Sequence, residues 1–438
     1  MNRRRELVST VATTLALLMP ATAFAQNREP LCVDVGVRRL AASPQLAQSG
    51  TQQVVLAALP ATSSAAFVVG VLDPARALES APRAGAAATS AGPRPDAQST
   101  PLDAQPSAHA PGLSLFRVDA SLLAVGPAIR ITAGVDSQPV AATVSGGVMV
   151  LFRSAGNLSA ALVPSSGDPG AVTTAATAPA PVESGVRRGF TWHTIAARGD
   201  GAIALAGTDD GQVVALRFDA RGARVGEPIV WPRRVGGSMQ LLPMASGPAA
   251  AMLARPVPGT GPNNEPARAQ VLVHLDEGLQ PVRTPAALGL AQFPLASVVR
   301  GHDVVVFQWA LEQGLAIATL PIAGDRIGEQ LPRLWRAEPP LEGAHVGHSA
   351  TVGPDNVLYD VALYADANGS VRGHVAWVPP SGTPIFRRDV IATRGRLVAQ
   401  PQVLPARDGV VVVLALEDET GGALDAHHVR CDLVSLEH

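Results

Sequence analysis

One turn motif recurs along this chain and limits what it can fold into. Arg117-Val118-Asp119-Ala120, running on to Val125-Gly126-Pro127-Ala128-Ile129, aligns with Arg217-Phe218-Asp219-Ala220, running on to Val225-Gly226-Glu227-Pro228-Ile229. Thr319-Leu320-Pro321-Ile322, running on to Ile327-Gly328-Glu329-Gln330-Leu331, falls beneath both without a gap. Gly222 and Gly324 coincide, where the first copy has Leu122, and looser copies lie at 275–278 and 378–382. Each copy reads as an apolar strand, a corner opened by Asp or Pro, a glycine free to take positive φ, and a new strand. Strand ends fall near residues 119, 163, 219, 276, 320, 378 and 433. Their spacing of about 50 residues suits one four-stranded propeller blade with generous loops.

More strand-like runs precede these corners, at 192–197, 202–206 and 212–218, at 292–299, 303–309 and 315–320, and at 345–352, 356–364 and 370–378. A last set lies at 397–404, 410–416 and 427–434. Hairpin turns join the last two runs of each set: Asp209-Asp210-Gly211, Gln313-Gly314, Asn368-Gly369 and Gly421-Gly422. The expected fold is all-β, a β-propeller of seven four-stranded blades over residues 26–438, with six or eight blades also compatible. Two unrelated β-sandwiches would instead break the repeat near residue 185.

The two ends carry the remaining architecture. Arg3, Arg4 and Arg5 precede a short apolar stretch ending at Pro20, and Ala23-Phe24-Ala25 offers small residues for cleavage. Residues 1–25 therefore read as a secretory signal peptide, which predicts a periplasmic or extracellular protein with no transmembrane segment in the mature chain. Cys32 and Cys431 are the chain's two cysteines. In an oxidising compartment such a pair is expected to form a disulfide, locking the ring near its termini. Residues 79–111 are rich in Ala, Pro, Ser and Gly and read as a disordered insert in the first blade, with 164–185 as a flexible loop. Residues 255–268 form a third break in the pattern. All three read as tolerated surface insertions, because loop-closure entropy grows slowly with length.

Composition excludes several chemistries. Net charge is −2, so no basic field exists to hold nucleic acid. The chain has no lysine, which removes Schiff-base chemistry, a P-loop lysine and a Ser-x-x-Lys pair. No cofactor fingerprint and no metal-ligand cluster is present.

The turn motif and its spacing resemble those of bacterial extracytoplasmic β-propeller repeat proteins over most of the mature chain. The resemblance is to an architecture and names no reaction, since propellers host enzymes and scaffolds alike. The Gly-His…Trp-Asp, kelch, sialidase-type and calcium-blade signatures are all missing.

His345-Val346-Gly347-His348-Ser349 is the densest cluster of reactive side chains. On a regular strand His345 and His348 face opposite sides, so they could share a metal only across a bulge. The same stretch departs from a nucleophile elbow at Thr351, where the second glycine is needed. Asp209-Asp210-Gly211 and Asp366-Ala367-Asn368-Gly369 read as tight turns rather than calcium loops. The function expected is a non-enzymatic, monomeric binding or scaffold propeller with a protein or glycan partner. The alternative is a propeller hydrolase or lyase whose channel-mouth site, drawn from several blades, includes His193, His345 and His348.

Overall fold

The structure is a computed structural model that describes residues 28–43, 54–58, 67–73, 112–122 and most of 129–435. Its longest interruptions after residue 129 are 178–188, 243–248, 258–266, 322–332 and 336–342, and the 79–111 insert lies outside the described residues. The described residues form seven antiparallel sheets and no α-helix. In chain order the first sheet holds Val54–Ala58, Phe67–Asp73, Gly112–Val118 and Ile129–Ile131, and the second Val140–Val144, Gly147–Ser154, Asn157–Pro164 and Thr173–Ala176. The third holds Phe190–Arg198, Gly201–Thr208, Val213–Phe218 and Ile229–Val230. Met239–Leu241, Ala249–Val257, Ala267–Leu275 and Ala286–Ala291 make the fourth. The fifth comprises Leu295–Arg300, Asp303–Ala310, Gly314–Pro321 and Arg333–Trp335, and the sixth Ala344–Val352, Leu358–Ala365, Ser370–Val378 and Ile385–Arg394.

The seventh sheet joins the two ends of the chain. Gln402–Ala406, Gly409–Asp418 and Gly421–Ser435 follow one another, and the earliest described strand, Arg28–Ser43, pairs antiparallel with the last. Cys32 stands opposite Cys431 in that register, and the two form the expected disulfide across a sequence separation of 399. A short extra strand, Arg396–Leu397, pairs the same edge of Gly409–Asp418 as Gln402–Ala406. The run expected at 397–404 is thus two strands, split where Pro401 can donate no backbone hydrogen bond.

Apolar residues on both faces of the middle strands pack each sheet between two neighbours. Every residue of Gly201–Thr208 is buried. In the second sheet Val148, Val150 and Phe152 turn toward Leu113 and Leu115 of the first, while Met149 and Leu151 turn toward Phe190 and Ala204 of the third. Further apolar layers lie between the third and fourth, fifth and sixth, sixth and seventh, and seventh and first sheets. The packing from the second sheet onto the third removes the break expected of two sandwiches near residue 185. At every junction but that of the fourth and fifth sheets, first strands of successive sheets lie beside one another, which is the stacking of a β-propeller. Hydrogen bonds tie the layers at matching places: Trp231 Nε1 donates to Leu279 O at 2.8 Å, and Arg224 Nη1 to Ala175 O at 3.0 Å.

Within the segment 164–185, residues Thr173–Ala176 form the outer strand of the second sheet. The break at 255–268 is likewise shorter than it reads, because strands run to Val257 and resume at Ala267.

The corner motif owes its shape to its acidic residue. Asp119, Asp219 and Asp276 each accept a backbone bond at the carbonyl from the residue three positions on, and Asp366 does the same in the hairpin between the second and third strands of the sixth sheet. Their side chains accept further backbone N–H groups, as from Ser121 and from Arg221 and Ala223. The residue three positions on lies at positive φ: Leu122 at 64°, Gly222 at 74°, Leu279 at 58° and Gly369 at 76°. Glycine is at ease there, whereas a leucine costs about 1–2 kcal/mol. Leu122 and Leu279 persist because both are buried, at 4% and 1% exposure. Leu279→Gly should therefore relieve about 1 kcal/mol of backbone strain and forfeit more in lost packing, for a net loss of about 2 kcal/mol in denaturant unfolding.

Candidate functional site

The described residues gather one dense set of titratable side chains, on the face of the sixth sheet that packs against the fifth. Its origin is a β-bulge in the first strand. His345 pairs with Tyr364, the next pairing is Gly347 with Leu363, and His348 pairs with Ala362. The extra residue cancels the alternation expected of a strand, so His345 and His348 share a face, with ring centroids 6.1 Å apart. Regular alternation had placed them on opposite faces, and the bulge corrects that expectation.

The neighbouring strands complete the set. Asp360 and Tyr364 alternate onto this face from the second strand, and His374, opposite Ala362, joins from the third. His348 Nε2 is hydrogen-bonded to Asp360 Oδ1, and both side chains are fully buried. The Tyr364 ring lies 5.4 Å from His345 and 5.1 Å from His374. The backbone N–H of Asp389 donates to His374 Nδ1 at 3.2 Å, which places the proton of the neutral ring on Nε2. Around this polar set lie Leu358, Ala362, Ala376 and Val378, with Val298 and Val305 of the fifth sheet.

Burial governs the protonation of two members. Desolvation first, and then the neighbouring His348, push the His345 imidazole down from 6.5 to about 4, with Asp360 pulling the other way. Burial, and after it the Asp360 carboxylate, raise Tyr364 far above the ordinary phenol range. At neutral pH His345 is an uncharged ring and Tyr364 an intact phenol. The Nε2 of His345 is buried without a hydrogen-bond partner.

His193 does not join this set. It sits in the third sheet, where Phe190 pairs with Thr208, a bulge follows, and His193 pairs with Ala206. That pattern is the one at His345, His348 and Ala362, so His193 is the counterpart of His348 in another sheet. The stretch around Gly347-His348-Ser349 is a strand rather than a strand-to-helix elbow. No three His, Cys, Asp or Glu side chains among the described residues converge to hold a metal ion. What the sixth sheet offers chemically is a sealed His–Asp pair beside two more histidines and a tyrosine. Asp360, Tyr364 and His374 were not joined to the pair in the sequence because they lie on two further strands, although Asp360 stands out as an acid within the apolar run 358–363.

A third buried histidine belongs to the seventh sheet. His427 Nδ1 lies 2.7 Å from Asp34 Oδ2, tying the last strand to the first a short way from the disulfide. No helix among the described residues is long and apolar enough to cross a membrane.

No family model matches the sequence, and no curated protein matches it. Among solved structures the chain is similar to a protein of unknown function from Dyadobacter fermentans, at 11% identity and a TM-score of 0.49, covering 92% of this chain and 99% of that one. It is similar to BBS1N, solved in complex with ARL6DN, at 10% identity and a TM-score of 0.47, over 90% and 96% of the two chains. A third likeness, at 10% identity and a TM-score of 0.36 over 68% and 96%, is to the fucose-recognising lectin of Aleuria aurantia, a six-bladed β-propeller. The assignment of this chain to the β-propeller architecture rests on its own sheet order and packing.

Proposed function

We propose that the chain is an exported seven-bladed β-propeller, closed by the shared seventh sheet, that acts as a non-enzymatic binding or scaffold protein for a protein or glycan partner. The observation that carries this reading is the location of the reactive groups. His348 and Asp360 are sealed between two sheets, whereas a hydrolase needs its acid, base and nucleophile to meet substrate in an open cleft. The competing reading, a hydrolase or lyase built on His193, His345 and His348, needs histidines from several blades to meet at one mouth. The sequence instead puts two of them at the same position of different repeats. Seven sheets with the ends sharing one of them favour a closed ring over an open stack. The disulfide, the basic start and the Ala23-Phe24-Ala25 run support export through a cleaved leader, with the mature chain beginning near Gln26 and acting as a monomer.

The test uses the full chain expressed with its own leader in a bacterial host. Intact mass of the exported protein should place the new N-terminus at or near Gln26. The purified protein is then screened against a glycan array and, in parallel, against chromogenic glycoside and ester substrates. Saturable binding without turnover is the expected result. Turnover abolished by His348→Ala or by His193→Ala would replace the binding reading with the enzymatic one.

A further inference from the structure

The internal repeat supplies a control for the buried cluster. Register aligns the third sheet with the sixth residue by residue: Phe190 stands where His345 does, Ala204 where Asp360 does, and Val214 where His374 does. In the third sheet those positions are apolar and packed against the second sheet. The fold therefore accepts apolar residues at the His345, Asp360 and His374 positions, whereas His193 repeats the histidine at the His348 position; the carboxylate and the two extra histidines set the sixth sheet apart.

We propose that the seam between the fifth and sixth sheets is an acid-sensitive latch, in which a proton taken up by His345 beside His348 and His374 loosens the packing of the two sheets. The groups facing His345 account for the direction. His348 lies on its own strand, Asp360 and Tyr364 on the next, and His374 with Arg372 on the third; Arg372 is paired with Asp389 at 3.5 Å. The fifth-sheet strands carry Arg300 and Asp303 at the hairpin away from His345, and Arg333 on the outer strand. From the seventh sheet Gln402–Ala406 brings no titratable side chain, and Gln400 meets only the backbone of His348. Among the described residues Asp360 is the one carboxylate set among the three histidines, and it is already engaged by His348.

The sign follows from linkage. A histidine whose folded form resists protonation binds fewer protons folded than unfolded, so stability is fully present above the ordinary value of 6.5. It is lost as pH falls from there toward about 4. The added charge arrives on a half-buried ring whose Nε2 is shut off from water, and separation of the two sheets relieves it.

The test compares the mature chain with His345→Phe, which installs the side chain the third sheet uses, and with His345→Gln should the larger ring disturb folding. Melting temperature is followed from about pH 7 to about pH 4.5, together with amide hydrogen exchange. The native chain is expected to lose about 3 °C over that range through this group, with exchange rising first in 295–310 and 344–365, while the variants keep most of their neutral-pH stability. Equal acid sensitivity of native and variant chains, or exchange rising evenly across all seven sheets, would overturn the proposal. Neither result bears on ligand binding at neutral pH, so the latch and the binding reading fail separately.

Discussion

Replacing both cysteines, Cys32→Ala with Cys431→Ala, is expected to lower the stability of the mature chain by about 2–5 kcal/mol. The bond spans 399 residues of sequence, so it restricts nearly the whole unfolded chain, and the entropic part of its effect grows with loop length. The folded state also depends on it. Arg28–Ser43 is the outer strand of the seventh sheet and meets the rest of that sheet through the last strand alone. Its bulges between Asp34 and Gly36 and between Arg39 and Ala41 interrupt the ladder, which also discourages pairing of this exposed edge with another chain. Without the disulfide the strand is held by its ladder, by the Asp34–His427 contact and by the Arg39–Asp425 pair at 3.0 Å. Guanidinium unfolding of the double variant should match that of the reduced native chain. An unchanged midpoint in both would mean that the two ends contribute nothing to closure.

The second large effect is expected at Asp360. Its carboxylate is fully buried and bonded to His348, and removing one member of such a pair leaves the other without compensation. Asp360→Ala should cost about 3–5 kcal/mol. Replacing both members, His348→Leu with Asp360→Ala, should cost clearly less than the sum of the single changes, because it leaves neither polar group buried without its partner. A double-mutant cycle by urea unfolding reads this coupling. Additive losses would show that the pair contributes by packing alone. Asp360→Asn serves as the intermediate case, since the amide keeps a hydrogen-bond partner for the ring while losing the charge.

Much of the architecture was legible because it repeats. Third strands end at Val118, Pro164, Phe218, Leu275, Pro321, Val378 and Ser435, each within two residues of a landmark read from the turn motif. These strands are rich in apolar residues, and those ending at Val118, Phe218 and Leu275 stop at a corner whose Asp bonds its own backbone, so side-chain chemistry and local geometry agree there. Outer strands escaped because they are short: Ile229–Val230 and Arg333–Trp335 have too few residues for any period to show. The corner at Leu279 was misread by one position, since Gly278 suggested the flexible residue while Leu279 takes the positive φ. Burial outweighed backbone preference at that corner, and burial is not visible in a local motif.

The cluster was legible only in part. His345 and His348 stood out in the sequence, but their common face depends on a bulge at Val346 that alternation cannot reveal. Asp360, Tyr364 and His374 join them through strand register, which follows from the turns at 353–357 and 366–369 rather than from any spacing between the residues themselves. His193 stood out equally and lies elsewhere, because a repeat places similar residues at similar positions of different sheets.

Small-angle X-ray scattering of the monomeric, oxidised mature chain is the most direct test of closure by a shared terminal sheet. A closed ring of about 410 residues should give a compact particle with a radius of gyration near the roughly 22 Å of a globular body that size. An elongated particle, with a radius well above that value and a profile of stacked sheets in an open row, would contradict it.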